Sequence, residues 1–331
     1  MSDADRQLGS PVGNSTTDIP LSAITTALRL GRQVVRWLPA GRMTAGRIVS
    51  RTFSTPGRSV LCSVSTPPFH MVARLDETID AQIFYNGVFE PAVTSVIRAV
   101  LLPGQTFIDV GANAGYYSLL AWSNLKPGGN VIAFEPDSNS LRRFKANLAF
   151  NPGCGITVVP IALSDHDGTS RFWESSPSQS NQGGGTLCAG QGTGKDVQTI
   201  RLDSYIEQSD VEAIDLLKMD IEGAEGLALD GMRQCLRDFR IKRLLLEMHR
   251  QPLEGSGRSP AAIVQQLQAA GYVGFRVRRV SAIGHRKYRD RGLHRFDRIT
   301  ESDFLADLAH YYFTCPDVVL PESANTRVTN G

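Results

Sequence analysis

Apolar positions divide the chain at Phe107. Before it, Leu21, Ile24, Leu28, Val35 and Leu38 recur at loosely helical spacing until Pro39 and Gly41 interrupt them, which predicts two helices between Leu21 and Phe53. From Phe107 onward, short apolar runs alternate with helix-periodic stretches, the pattern that builds a doubly wound parallel sheet. Strands are predicted at Phe107 to Val110, Asn130 to Phe134, Ile156 to Ala162, Ala213 to Met219, Lys242 to Met248, Tyr272 to Val277 and His310 to Thr314, with a short extra one at Arg171 to Trp173. Helices are predicted at Asn113 to Leu125, Leu141 to Phe150, Ala224 to Leu236 and Pro260 to Ala270. Ser175 to Gly194, rich in Ser, Gly and Gln, reads as a loop, and a loop of that length inside a compact domain is usually functional or mobile. No internal repeat is visible.

Composition adds bounds. The chain has 331 residues, 41% hydrophobic and 21% charged, enough for one large α/β domain with an extension. We divide it into a disordered tail (1–19), a helical N-terminal extension (20–65), the main domain (66–320) and a second disordered tail (321–331). A net charge of +2 argues against a general nucleic-acid binder. The five cysteines, Cys62, Cys154, Cys188, Cys235 and Cys315, lack C-x-x-C spacing and are odd in number, so neither zinc knuckle nor disulfide framework is expected and the default is a reducing, cytoplasmic setting. The acidic, polar start MSDADRQ and the absence of a long apolar run predict neither secretion nor a membrane span. Arginines are concentrated in two places: Arg29, Arg32, Arg36, Arg42, Arg47 and Arg51, read as a solvated helical face, and Arg276 to Arg298, read as a basic insertion between the last two strands.

The chemistry concentrates at strand ends. FIDVGANAGYYS, Phe107 to Ser118, is a strand closed by Asp109, a turn bracketed by Gly111 and Gly115, and a helix start. Such a turn presents backbone N–H groups to an anionic ligand. IAFEPD then places Glu135 twenty residues beyond Gly115, at the tip of the second strand, where a carboxylate accepts ribose hydroxyls. A dinucleotide site wants G-x-G-x-x-G, and Asn113 occupies the second glycine position. A ligand with a ribose and a carboxylate but no phosphates, such as S-adenosylmethionine, fits better. Strand four ends in KMDIEGAE and strand five in LLLEMH, so Asp220, Glu222, Glu247 and His249 should converge outside the carboxyl ends of the strands, where ligands of open α/β sheets bind. Mg²⁺ is the less favoured occupant of that cluster, and no metal site is assigned.

These motifs resemble the FkbM family of S-adenosylmethionine-dependent methyltransferases over roughly Asp76 to Pro316. The resemblance rests on FYNGVFEP, PGQTFIDVGANAGYYSLLA, IAFEPDSNSLRRFKANLAFN, VPIALSD, LDSYI and LLKMDIEGAEGLALDGM. It implies a class I methyltransferase (Rossmann-like) fold, α/β, with a seven-stranded, mostly parallel sheet whose last strand runs antiparallel, and O-methylation of a hydroxyl on a sugar or polyketide-type natural product. By position it implies that Asp109, Gly111, Asn113 and Gly115 hold the methionine end and that Glu135, with Pro136 beside it, holds the ribose. It also implies that Ala162, Leu163, Ser164 and Asp165 line the adenine edge and that Glu90 closes over the cofactor. Asp220, Glu222 and His249 are the catalytic candidates, Asp220 also touching the cofactor. The arginines of 276–298 suggest an acceptor bearing phosphate or carboxylate, since guanidinium forks pair with such groups. Two other readings stay open: an NAD-dependent oxidoreductase, which Asn113 opposes, and a non-catalytic nucleoside-binding module recruiting an anionic partner. A nucleic-acid methyltransferase is disfavoured, because no aromatic-basic stacking pattern and no [DNS]-P-P-[YFW] run occurs.

Overall fold

The computed structural model describes residues 30, 32, 34, 35, 59–64, 68–174, 185–188, 194–279 and 294–320. Both predicted tails and most of the predicted helical extension lie outside these. Within the extension Leu30, Arg32, Val34 and Val35 are helical, with Val35 buried. Strands β1 (Ser59–Val64) and β2 (Phe69–Arg74) form an antiparallel hairpin. The extension is therefore not helical up to residue 65: Val60, Cys62 and Val64 are buried at alternate positions, the two-residue period of a strand. Two helices missing from the sequence reading follow, α1 (Thr78–Asn86), closed by Gly87 at φ 70°, and α2 (Pro91–Val100), with proline in its first turn.

The doubly wound unit begins with β3 (Thr106–Val110), α3 (Tyr116–Leu125), β4 (Asn130–Phe134), α4 (Ser138–Ala149) and β5 (Ile156–Val159). The Asp137 side chain caps α4 by accepting from the Ser140 N–H at 2.8 Å. The predicted strand to Ala162 splits after Val159: β6 (Ala162–Leu163) leaves the main sheet and pairs with β8 (Gly194–Ile200), which also pairs with β7 (Gly168–Trp173) in a separate three-stranded sheet. After α5 (Leu202–Glu207) and β9 (Leu216–Met219), the predicted helix Ala224 to Leu236 is two, α6 (Glu225–Asp230) and α7 (Arg233–Arg237). They part at Gly231, where a Cβ would lie 1.9 Å from the Ser164 carbonyl oxygen.

Next come β10 (Arg243–His249), α8 (Arg250–Gly255), α9 (Pro260–Ala269), β11 (Val273–Arg279), β12 (His294–Arg298) and β13 (Leu308–Thr314). The main sheet has eight strands rather than seven, in the order β12-β11-β13-β10-β9-β3-β4-β5. Pairing from β10 through β5 is parallel, and β13 runs antiparallel between β10 and β11. The eighth strand comes from the predicted basic insertion. Arg276 and Arg278 belong to β11 and Arg295 and Arg298 to β12, paired antiparallel, because Phe275, Val277 and Phe296 supply an apolar face to the core. Arg276, Arg278 and Arg295 pair with Asp303 and Asp297 in the same region. Residues 280–293, including Arg286, Lys287, Arg289 and Arg291, lie outside the described residues.

Alternation within each strand feeds two cores. Phe107, Leu216 and Tyr312 pack with α2 and α3 on one face, whereas Ile108, Val110, Leu217 and Met219 pack with α6 and α9 on the other. Burial of whole side chains at this scale contributes about 1.5–3 kcal/mol each, enough to hold the strand ends in fixed register. No helix among the described residues is long and apolar enough to cross a membrane.

Candidate active site

The carboxyl ends of β3, β4, β9 and β10 open into one cavity of about 270 Å³. Its floor is shaped by Gly111, at φ 78°, where a Cβ would stand 2.0 Å from the Asp220 carbonyl oxygen. Only glycine lets the tips of β3 and β9 meet this closely. Asn113 follows at φ 50°, so the predicted helix starts three residues later, at Tyr116. The Asn113 N–H donates to Glu135 Oε2 at 2.7 Å and the Asp137 N–H to Oε1 at 2.8 Å. Glu135 is 6% exposed and lines the cavity. Burial pushes its carboxyl up to about 7 against those two backbone donors. Each oxygen keeps a lone pair for a ligand hydroxyl. Beyond it Pro136, Ala162, Leu163, Phe172 and Leu187 form a mainly apolar wall. A buried carboxylate, a glycine-shaped floor and an apolar slot fit an adenosine with a short polar tail, so S-adenosylmethionine matches the residues present.

Of the cofactor residues expected from sequence, Glu90, Gly111, Asn113, Glu135, Pro136, Ala162, Leu163 and Asp220 line this cavity. Three do not. Asp109 is fully buried under the sheet tip, where it accepts from Ser118 Oγ at 2.6 Å and sits opposite Lys218 in the β3–β9 register. Strand alternation turns it away from the ligand side, and burial raises its proton affinity against the Lys218 charge. Gly115 faces the Phe144 ring, which a Cβ would approach to 2.2 Å, so packing of α4 explains the glycine. Ser164 is buried and donates its hydroxyl to Asp165, with its N–H bonded to the Ile200 carbonyl.

The other end of the cavity carries charge. Asp220 and Glu222 follow β9, and Glu247 and His249 end β10. His249 Nε2 lies 3.3 Å from Glu247 Oε1, 3.5 Å from Glu222 Oε2 and 3.9 Å from Asp220 Oδ1. The three catalytic candidates are thus brought together. Lys218 Nζ stands 3.3 Å from Asp220 Oδ2 and over the Tyr117 ring. Glu90, at φ 39°, accepts from the Tyr117 hydroxyl at 2.5 Å and lies 3.4 Å from His310 Nε2.

Proton affinities follow from this crowding. Burial opposes a charge on His249, but the Glu247 hydrogen bond and the Glu222 and Asp220 charges raise it to about 9. Asp220 is pushed up to about 8 by burial and by Glu247, with Lys218 acting against the rise. Burial also opposes the Lys218 charge, yet Asp220, Asp109 and Glu247 hold it protonated. The carboxylates are therefore balanced by Lys218, His249 and His310.

Sequence reasoning placed Glu247 in the cavity without a role and missed Tyr117, Lys218, His310 and helix α1, which lines it through Asp80 and Ile83 behind its N-cap residue Glu77. Tyr117 and Lys218 lay inside the two motifs already singled out. His310 had no local signal: it meets Glu247 only through the antiparallel register of β10 and β13. The Ser175 to Gly194 loop reaches the cavity through Gly185, Thr186 and Leu187, and the Cys188 thiol donates to the Gly223 carbonyl at 3.1 Å, tying it to the turn that carries Glu222.

The chain resembles known proteins in the region that builds this cavity. The family model described as methyltransferase FkbM domain matches residues 109–273. AMB antimetabolite synthetase AmbE of Pseudomonas aeruginosa is 28% identical over 222 residues, 56% of this chain and 10% of that protein. The 31-O-demethyl-FK506 methyltransferase FkbM of Streptomyces tacrolimicus is 29% identical over 199 residues, 51% of this chain and 75% of that one. The hexuronic acid methyltransferase AglP of Haloferax volcanii is 31% identical over 143 residues, 43% of this chain and 54% of that one. The chain therefore spans a tenth of the first relative, three quarters of the second and about half of the third.

Proposed function

We propose, from the premise that this chain carries an FkbM methyltransferase domain, that it transfers the methyl group of S-adenosylmethionine to a hydroxyl of a small molecule, a sugar or a polyketide-type natural product. One observation supports this most directly: the buried Glu135 carboxylate and the Gly111 floor share a cavity with Asp220, Glu222 and His249. The cofactor supplies an electrophilic methyl on a sulfonium. Everything else asked of the protein is orientation, exclusion of water and removal of one proton, and orientation alone is worth several kcal/mol of barrier.

Gly111, Asn113 and Asp220 would hold the amino-acid end, Glu135 the ribose, and Ala162 and Leu163 the adenine edge. His249 is the base for the acceptor hydroxyl, with Asp220 and Glu222 directing the imidazole. A base raised to about 9 is protonated at neutral pH, so transfer should rise with pH toward that value. The acceptor end is lined by Glu90, Asp220, Glu222 and Glu247, and three arginines of the 276–298 stretch, Arg276, Arg278 and Arg295, pair instead with Asp297 and Asp303. With these carboxylates balanced by Lys218, His249 and His310, the end holds no excess positive charge for an anionic group, which favours a neutral hydroxyl compound. The relative named for a hexuronic acid keeps acidic sugars among the compounds to test.

The test is incubation with S-adenosylmethionine and a panel of neutral sugars, amino sugars, uronic acids and macrolide-type alcohols, with products read by mass spectrometry. Methylated alcohol is the expected result. Binding of S-adenosylhomocysteine without transfer to any acceptor would favour the non-catalytic module, and tight NADH binding would favour the oxidoreductase.

A further inference from the structure

Glu247 has two imidazole partners, on opposite sides. Its Oε1 faces His249 Nε2 at 3.3 Å and its Oε2 faces His310 Nε2 at 3.0 Å. The arrangement is built by register: Glu247 and His310 are direct cross-strand partners in β10 and β13, and His249 is two residues along β10 on the same face. His310 reaches further, to Glu90 Oε1 at 3.4 Å, and Glu90 accepts from Tyr117. Glu90, Glu247 and His249 line the cavity, but His310 does not. It stands behind the wall, and its ring meets two groups that do.

We propose that Glu247 is a carboxylate shared by two imidazoles and that His310 is a positioning residue which, through Glu247, governs the proton on His249. This rests on the placement of His249 at the reacting hydroxyl. Each histidine competes for one anion. The groups facing His249 are Glu247 from its own strand and Asp220 and Glu222 from the β9 tip, with Glu225 of α6 near enough to exchange charge effects with it. Those facing His310 are Glu90 and Glu247, with the Arg276 guanidinium of β11 donating to the His310 carbonyl at 3.0 Å, and Lys218 acts on Glu247 from β9. Burial opposes the His310 charge, but Glu247 and Glu90 raise it to about 10, so it is a cation throughout the neutral range. A permanent cation on one side of Glu247 weakens the hold of that carboxylate on the His249 proton. His310 thereby keeps His249 from becoming too basic to serve, and it pins Glu90 over the acceptor end with the same ring.

The competition gives opposite signs to two substitutions. In His310→Gln a donor to Glu247 remains but the cation is lost, so the His249 midpoint should rise by about half a unit or more. In Glu247→Gln both histidines lose their common anion, and both midpoints should fall, by about a unit or more. The experiment is NMR titration of Cε1-labelled histidine in the full chain, with His249 assigned from His249→Asn. Generalised loosening of the site moves His249 toward its ordinary value in both variants and cannot produce a rise. A downward shift in both, or no shift in either, would overturn the proposal. With an acceptor in hand, the pH dependence of kcat should move up in His310→Gln and down in Glu247→Gln, with KM for S-adenosylmethionine changed less than about twofold. If the unaltered protein methylates no acceptor, the proposed function fails, while the titrations still decide whether the carboxylate is shared.

Discussion

The two ends of the cavity are built by different means. The end assigned to the cofactor is shaped largely by main chain: Gly111 at positive φ and Asn113 donating its N–H to Glu135, in two neighbouring β–α units, closed by a short apolar wall from β6, β7 and the loop after it. The end assigned to the acceptor is made by side chains from four separated stretches, Glu90, Lys218 to Glu222, Glu247 to His249, and His310, held by mutual charge rather than by backbone shape. A ligand common to many enzymes can be held by backbone geometry that tolerates almost no change. A variable acceptor is better met by side chains that can be exchanged without altering the strands beneath them. The first end should therefore fail abruptly under substitution and the second by degrees.

Gly111→Ala is the severest test, because it strikes where the two ends join. Its Cβ would meet the Asp220 carbonyl at 2.0 Å on a backbone already at φ 78°. Left-handed strain alone costs on the order of 1–3 kcal/mol, and the overlap adds to it. Loss of S-adenosylhomocysteine binding by calorimetry, with a clearly lowered Tm, is expected; unchanged binding would erase the distinction drawn above. His249→Asn should come next, lowering kcat by about 10²-fold or more while leaving S-adenosylhomocysteine affinity within about twofold. A parallel loss of affinity would mean that the two ends are one.

Glu135→Ala should weaken S-adenosylhomocysteine binding by more than about 1 kcal/mol, the scale of charge-assisted hydrogen bonds, with no change in the pH dependence of turnover. In the unaltered protein the same affinity should decline as pH falls through about 7, since burial raises the Glu135 carboxyl to that value and the protonated form loses acceptor capacity. Affinity constant between pH 8 and 6 would count against the ribose assignment. The smallest effect is expected at an exposed side chain outside the cavity: Arg171→Ala removes an exposed pair with Asp196 and should change stability by less than about 1 kcal/mol in denaturant titration.

The alternation of strands and helices from Phe107 onward, and the four strand tips that meet at the cavity, were readable because period-two and helical patterns are local. The errors share one cause. Ala162, Gly231 and Arg276 each sit where a distant segment decides the outcome: β8 draws β6 out of the main sheet, the Ser164 carbonyl leaves no room for a Cβ at 231, and β12 extends the sheet past its predicted edge. Asp109, Gly115 and Ser164 lie inside the right motifs yet serve the core, because adjacency in sequence does not say which way a strand turns Asp109 or that the Phe144 ring packs on Gly115.

From the sequence alone came the order of the elements, the glycine-bounded turn and the acid at 135, since each depends on backbone preferences that neighbours a few residues away dictate. Only tertiary structure could join Glu247 to both His249 and His310 and set Glu90 beside them. Those contacts depend on the register between strands some sixty residues apart, which is settled by how both faces of the sheet bury their side chains and not by any local pattern.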